Sequence, residues 1–124
     1  MSMEMYQQNI IDHYKDPRNK AQMDDATVVG KDNNHTCGDL LVLQLKIEEN
    51  KITDVKFQGT GCAISQSAIS MLTEKLVGLS IDEARKIDRD YIFKLLGVPI
   101  SHARINCALL SLKVLKLCVY NEKL

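Results

Sequence analysis

A chain of 124 residues with 16 basic and 16 acidic side chains carries no formal net charge, which gives no support for a nucleic-acid or other polyanion surface. Its hydrophobic content of 45% is that of a globular protein, its length points to one domain over residues 1–124 with a core of its own, and no apolar run nears the roughly 20 residues of a membrane span. The start, Met1-Ser2-Met3-Glu4-Met5-Tyr6, lacks the basic and apolar parts of a secretory signal, so a cytoplasmic location is expected, where four cysteines read as thiols or metal ligands rather than disulfides.

Met3 to Tyr14 reads as a short helix, with Met3, Tyr6, Ile10 and Tyr14 spaced by three and four and Ile11 on the same apolar side. Asp16-Pro17-Arg18-Asn19 ends it, because the residue before a proline is pushed out of the helical region. Lys20 to Thr36 is mostly polar; Val28 and Val29 suggest a short strand and Lys31-Asp32-Asn33-Asn34 a turn. Leu40 to Glu48 is a strand with Leu41, Leu43, Leu45 and Ile47 on one face. Glu49-Asn50-Lys51 turns the chain, Asn50 tolerating positive φ, and Ile52 to Gln58 returns antiparallel with Val55 and Phe57 alternating.

Gly59-Thr60-Gly61 then switches strand to helix. Cys62 opens that helix, which runs to about Val77 with Ile64, Ala68, Leu72 and Leu76 in helical spacing and Gly78 as a stop. Ser80-Ile81-Asp82-Glu83 matches a capping box. Asp88 to Leu96 reads as a third helix of this half, broken by Gly97-Val98-Pro99. The last helix opens at Ser101 or His102 and carries Ile105, Leu109, Leu112 and Leu115 on one side. The order implies an α+β fold: a small antiparallel β-sheet with helices packed on one face.

Three cysteines far apart in sequence stand where one element gives way to another. They are Cys37 in Thr36-Cys37-Gly38-Asp39, Cys62 in Gly59-Thr60-Gly61-Cys62-Ala63, and Cys107 in Ala103-Arg104-Ile105-Asn106-Cys107-Ala108. Soft thiolates with a hard carboxylate suit zinc or an iron–sulfur cluster. If the first strand begins at Cys37, alternation points Cys37 and Asp39 to the same side. The helix start at Cys62 supplies positive potential that favours a thiolate. A free cysteine is equally at home as a small buried hydrophobe, and Cys118, among Leu115, Leu117 and Val119, is read that way. His13 reads as structural, whereas His35, two residues before Cys37, and His102, five before Cys107, remain alternative ligands.

In these motifs the chain resembles the U-type iron–sulfur cluster assembly scaffolds: IscU, SufU and the N-terminal part of NifU. The resemblance covers nearly the whole chain. It is carried by Tyr6 to Asn19, including Ile11-Asp12-His13-Tyr14 and Pro17-Arg18-Asn19, and by Thr36-Cys37-Gly38-Asp39. Gly59-Thr60-Gly61-Cys62-Ala63-Ile64-Ser65 and Ala103-Arg104-Ile105 with Cys107-Ala108 complete it, the last in a SufU-like form. It implies an IscU/SufU-like fold and a scaffold rather than an enzyme. Cys37, Asp39, Cys62 and Cys107 would bind a transient 2Fe–2S cluster, with zinc as the alternative or in its absence. Cys107 would accept persulfide sulfur from a cysteine desulfurase, and acceptor or carrier proteins would receive the cluster.

The resemblance also implies a homodimer linked to Tyr6. Two departures stand out. Asn106 occupies the place of the histidine that IscU-type members carry before the third cysteine. Ile100-Ser101-His102-Ala103-Arg104 replaces the Leu-Pro-Pro-Val-Lys stretch read by a dedicated chaperone. The SufU-type insertion between the second and third cysteines has no room here, since two short helices fill Gly78 to Pro99. The alternative function is a zinc-dependent sulfur acceptor, sulfurtransferase-like, that stimulates a desulfurase without holding a cluster.

Overall fold

The computed structural model describes residues 3–120. In chain order they form α1 (Met3–Lys15), β1 (Val28–Asn34), β2 (Asp39–Glu48), β3 (Lys51–Thr60), α2 (Ala63–Leu76), α3 (Ile81–Arg85), α4 (Arg89–Leu96), a 3-10 turn (His102–Arg104) and α5 (Ile105–Val119). No helix among the described residues is long and apolar enough to cross a membrane.

The sheet has three antiparallel strands in the order β1-β2-β3: the expected hairpin, and the short strand suggested at Val28 and Val29, which runs on to Asn34. Lys31 to Asn34 is strand, not turn: β1 pairs with β2 residue by residue from Val28↔Leu45 to Asn34↔Asp39. Polar residues persist in β1 because it is an edge strand, and an edge strand tolerates side chains that face water. The turn falls instead at His35 to Gly38. β2 and β3 meet through a tight turn in which Glu49 and Asn50 both adopt positive φ (52° and 65°), the backbone of a type I′ hairpin. A register shift at Lys46/Ile47 moves the buried positions of β3 to Ile52, Val55 and Phe57.

Leu41, Leu43 and Leu45 of β2 are fully buried with Val55 and Phe57 against the helices. The opposite face is crossed by residues 19–27. Asn19 and Ala21 bond the backbone of Phe57, and Gln44 clasps both the N–H and the carbonyl of Met23 at 2.9 and 2.8 Å. Thr27 then bonds Leu45 and the chain enters β1.

α2 is the centre of the helical layer, in contact with α1, α4, α5 and β3. Every residue from Ser65 to Thr73 is buried, so its polar side chains need internal partners. Ser67 donates to the Ile10 carbonyl at 2.7 Å and Thr73 to the Ser70 carbonyl at 2.7 Å. The α3 capping box forms as the sequence predicts, Ser80 Oγ accepting from Glu83 N–H while the Glu83 carboxylate accepts from Ser80 N–H. Asp88 caps α4 and Gly97 ends it in the left-handed region.

Two helix faces differ from expectation. In α1, Ile10 and His13 are buried while Met3, Ile11 and Tyr14 are exposed. The helix rotates so that His13 can reach a buried hydroxyl, and Tyr6 lies half-buried over Gly97. In α5 the buried side is Cys107, Ala108, Leu110, Ser111, Val114, Leu115, Cys118 and Val119, whereas Ile105, Leu109 and Leu112 are only partly covered. α5 is apolar nearly all round, so its periodicity does not select a face.

His13 Nδ1 lies 2.7 Å from Ser70 Oγ, which also accepts the Arg18 N–H at 2.9 Å, and His13 Nε2 lies 3.3 Å from Glu74. The Glu74 carboxylate can only accept, so Nε2 carries the proton of the neutral ring and Nδ1 accepts from the Ser70 hydroxyl. The ring is then the neutral Nε2–H tautomer, donating to Glu74. Burial, reinforced by the Arg18 charge, lowers the His13 pKa against the opposing pull of Glu74 and Asp12. The unfolded chain therefore binds the proton first, and stability falls as pH drops below the ordinary histidine value near 6.5. Urea midpoints of the metal-free protein are expected to fall between pH 7.5 and 5.5, and to fall less in His13→Gln. Equal slopes in the two proteins would remove His13 as the cause.

Candidate metal centre

Three chain segments bring Cys37, Asp39, Cys62 and Cys107 to one end of the sheet. Cys37 lies in the β1–β2 turn and not in the strand, so it meets Asp39 for a different reason than alternation. Gly38, at φ 71°, folds the turn through a conformation that side-chain-bearing residues avoid, and Asp39 is the first residue of β2. Asp39 is 1% exposed. Its Oδ1 accepts the Cys62 N–H at 2.9 Å and the Ser65 hydroxyl at 3.2 Å. That bond satisfies one free amide at the start of α2, since the Cys62 side chain caps nothing. The close approach depends on Gly61, φ 148°, where a Cβ would stand 2.2 Å from Asp39 Oδ1.

Cys107 faces inward from the first turns of α5 and is fully buried, while Cys37 and Cys62 are half-buried. One ligand atom from each of Cys37, Asp39 and Cys107 lies within 4.8 Å of the others. Cys62 Sγ falls outside that group of mutually close ligand atoms, although the Cys62 side chain acts on the Cys107 thiol from the start of α2. Burial pushes the Cys107 thiol well up, helped by hydrogen bonds with Cys37, Asp39 and Cys62. Burial alone would also raise the Asp39 carboxyl, but hydrogen bonds from Cys62 N–H, the Cys107 thiol, Ser65 and Asn34 reverse the sign and hold it below the usual range. The metal-free site is thus a carboxylate with a protonated thiol beside it. A cation supplies the charge that lets such a thiol ionise. Two thiols and one carboxylate at this spacing, with the Cys62 thiol as a further candidate donor, form a set that suits zinc or iron.

The histidines are not brought in. His35 and His102 are exposed, as is Asn106, and His13 is committed to Ser70 and Glu74. The side chains that do reach the sulfurs are Arg104 and Asn34. Arg104 Nη1 stands 3.7 Å from Cys37 Sγ. Its charged form is favoured first by a hydrogen bond with Cys107 and then by the charges of Cys62 and Cys37. Asn34 Nδ2 lies 3.4 Å from Asp39 Oδ2 and 3.5 Å from Cys107 Sγ. Sequence reasoning missed Asn34 because it placed that residue in a turn; the pairing Asn34↔Asp39 at the end of the β1–β2 ladder puts it at the site. Cys118 is buried against the Leu43 carbonyl at 3.5 Å, and burial pushes its thiol up to about 12, so it packs as read.

Known proteins resemble this chain in sequence and in fold. A protein from Archaeoglobus fulgidus named iron-sulfur cluster assembly scaffold protein IscU 1 is 43% identical over 93 residues, covering 75% of this chain and 61% of that protein. The chain therefore spans less than two thirds of that relative's length. The zinc-dependent sulfurtransferase SufU of Bacillus subtilis is 39% identical, covering 96% of this chain and 92% of its own. That alignment runs over 136 residues, more than the 124 present here, so the Bacillus protein carries residues this chain lacks. Among solved structures, a candidate iron–sulfur cluster assembly scaffold for the SUF system from Fervidobacterium islandicum AW-1 superposes with TM-score 0.79 at 27% identity, covering 96% of this chain and 99% of that one. The family profile described as NifU-like N terminal domain matches residues 5–123, and on that match the chain belongs to the NifU-like N-terminal domain family, with IscU and SufU proteins among its relatives.

Proposed function

We propose that this protein is a scaffold for iron–sulfur cluster assembly, with the nascent 2Fe–2S unit as its cargo and Cys37, Asp39, Cys62 and Cys107 as the holding residues. The reading is supported by the convergence of Cys37, Asp39 and Cys107 within 4.8 Å, with Cys62 acting on the Cys107 thiol. Sulfur would come from a cysteine desulfurase. Cys107 Sγ attacks the outer sulfur of the enzyme's persulfide, forming a new S–S bond at Cys107 and releasing the desulfurase thiolate, which takes up the Cys107 proton. Burial of Cys107 means that the Arg104 end of α5 moves aside before this attack. Acceptor proteins would then take the finished unit. Thiolates hold it firmly, while the harder carboxylate exchanges more readily and offers the point of release.

A second reading, a zinc-dependent sulfur acceptor, draws on Ala103-Arg104-Ile105 before Cys107 and on the likeness to the Bacillus protein. Zinc would hold the thiols as thiolates ready for transfer. Anaerobic purification, metal analysis and reconstitution with ferrous iron and sulfide separate the two. The scaffold reading expects a coloured 2Fe–2S protein, and Cys107→Ser is expected to weaken metal binding by about 100-fold or more. A colourless protein with one tight zinc that refuses iron and sulfide selects the acceptor. Parent-like binding in Cys37→Ser, Cys62→Ser and Cys107→Ser alike would discard the site.

A further inference from the structure

Asp39 presents its two oxygens to different neighbours. Oδ1 is tied to the start of α2 through Cys62 N–H and Ser65. Oδ2 is left facing Asn34, and the same Asn34 nitrogen faces Cys107 Sγ. One amide nitrogen carries two hydrogens, one for each acceptor. The amide orientation follows from its surroundings: turned over, its oxygen would face the Asp39 Oδ2 acceptor with no hydrogen to share. Asn34 is half-buried at the last rung of the β1–β2 ladder, so the strand pairing fixes its backbone. Among the described residues it is the side chain that contacts both an oxygen and a sulfur of the donor set.

Resting on the proposed metal site, we infer that Asn34 is a positioning residue that keeps the site labile, its amide competing with the bound cation for Asp39 Oδ2 and Cys107 Sγ. A ligand that accepts a hydrogen bond donates less electron density to a metal, so both contacts loosen the donors on the same side of the site. The two distances, 3.4 and 3.5 Å, are long, and a shared, weak donor gives way to an incoming ion at little cost. Asn34 thus sets how fast cargo leaves without itself being a ligand.

Cobalt(II) is the probe, because its thiolate charge-transfer band reports directly on the sulfur. Asn34→Leu keeps the shape and removes the donor; Asn34→Ala serves if the leucine variant does not fold. Chelator-driven cobalt loss is expected to slow about fivefold. The charge-transfer band should move to lower energy as the sulfur loses its hydrogen bond. The unfolding midpoint of the metal-free protein should stay within about 2 °C of the parent, which a merely structural role would not allow together with the band shift. In the Asp39→Ala background the rate effect of Asn34→Leu should shrink while the band shift persists. A parent that binds no cobalt overturns the metal-site reading and this inference with it. A parent that binds, with variants matching it in both rate and band, overturns the inference alone.

Discussion

Gly61→Ala is expected to lose zinc affinity by about 100-fold and to destabilise the metal-free protein by about 3 kcal/mol. The added methyl would stand 2.2 Å from Asp39 Oδ1, 2.8 Å from Ser65 Oγ and 3.0 Å from the Asp39 Cα. None of these is the end of a flexible chain. Asp39 is buried at the first rung of β2, and Ser65 is fixed in the first turn of α2. The carboxylate must swing away, leaving the Cys62 N–H and the Ser65 hydroxyl without their acceptor and the donor set without its oxygen. Backbone strain at φ 148° acts in the same direction.

Gly38→Ala is the control. Gly38 also has positive φ, at 71°, but nothing lies within 4 Å of its missing Cβ. It should cost about 1 kcal/mol of stability and change zinc affinity only a few-fold. Competition with a chromophoric chelator and thermal unfolding read both quantities. Parent-like zinc affinity in Gly61→Ala would mean that the Asp39–Cys62–Ser65 contact does not shape the site.

What was legible in the sequence divides by how local the signal is. The Ser80–Glu83 capping box, the helix stop at Gly97, the Asn50 turn and the alternation of Leu41, Leu43 and Leu45 depend on residues a few positions apart, and all are present. The settings of Cys37 and Cys62 were legible for the same reason: their glycine and acid neighbours are local. What failed depends on distant partners. Lys31 to Asn34 looks like a turn by composition and is strand because β2 pairs with it. The buried face of α1 is set by Ser70, 57 positions from His13. α5 offers apolar side chains on every side, so only contact with β1 and α2 decides that Cys107 and Leu110 go inward. The contribution of Asn34 to the site was hidden by the same misplacement of β1, and the exclusion of His102 and Asn106 needed the direction of the 3-10 turn and α5.

Asp39→Ala is expected to act with opposite sign on the empty and the loaded protein. In the metal-free state the Cys62 N–H, the Ser65 hydroxyl and the Asn34 amide lose their shared acceptor, which should cost about 1–3 kcal/mol. Because those bonds hold the carboxyl below its ordinary range, its contribution is complete above the unfolded carboxylate value near 4 and is lost as pH falls through the folded one. The stability gap between parent and Asp39→Ala should therefore be full at neutral pH and close on acidification. In the loaded state the substitution removes the hardest and most exchangeable donor and leaves the thiolates, which match iron better. The 2Fe–2S cargo should then persist longer, its visible absorption decaying several-fold more slowly on exposure to chelator or an acceptor protein. Since the same change loosens the fold, slower loss cannot be ascribed to a stiffer protein and must arise at the ligands. Faster cluster loss than in the parent would show that Asp39 anchors the cargo instead of releasing it.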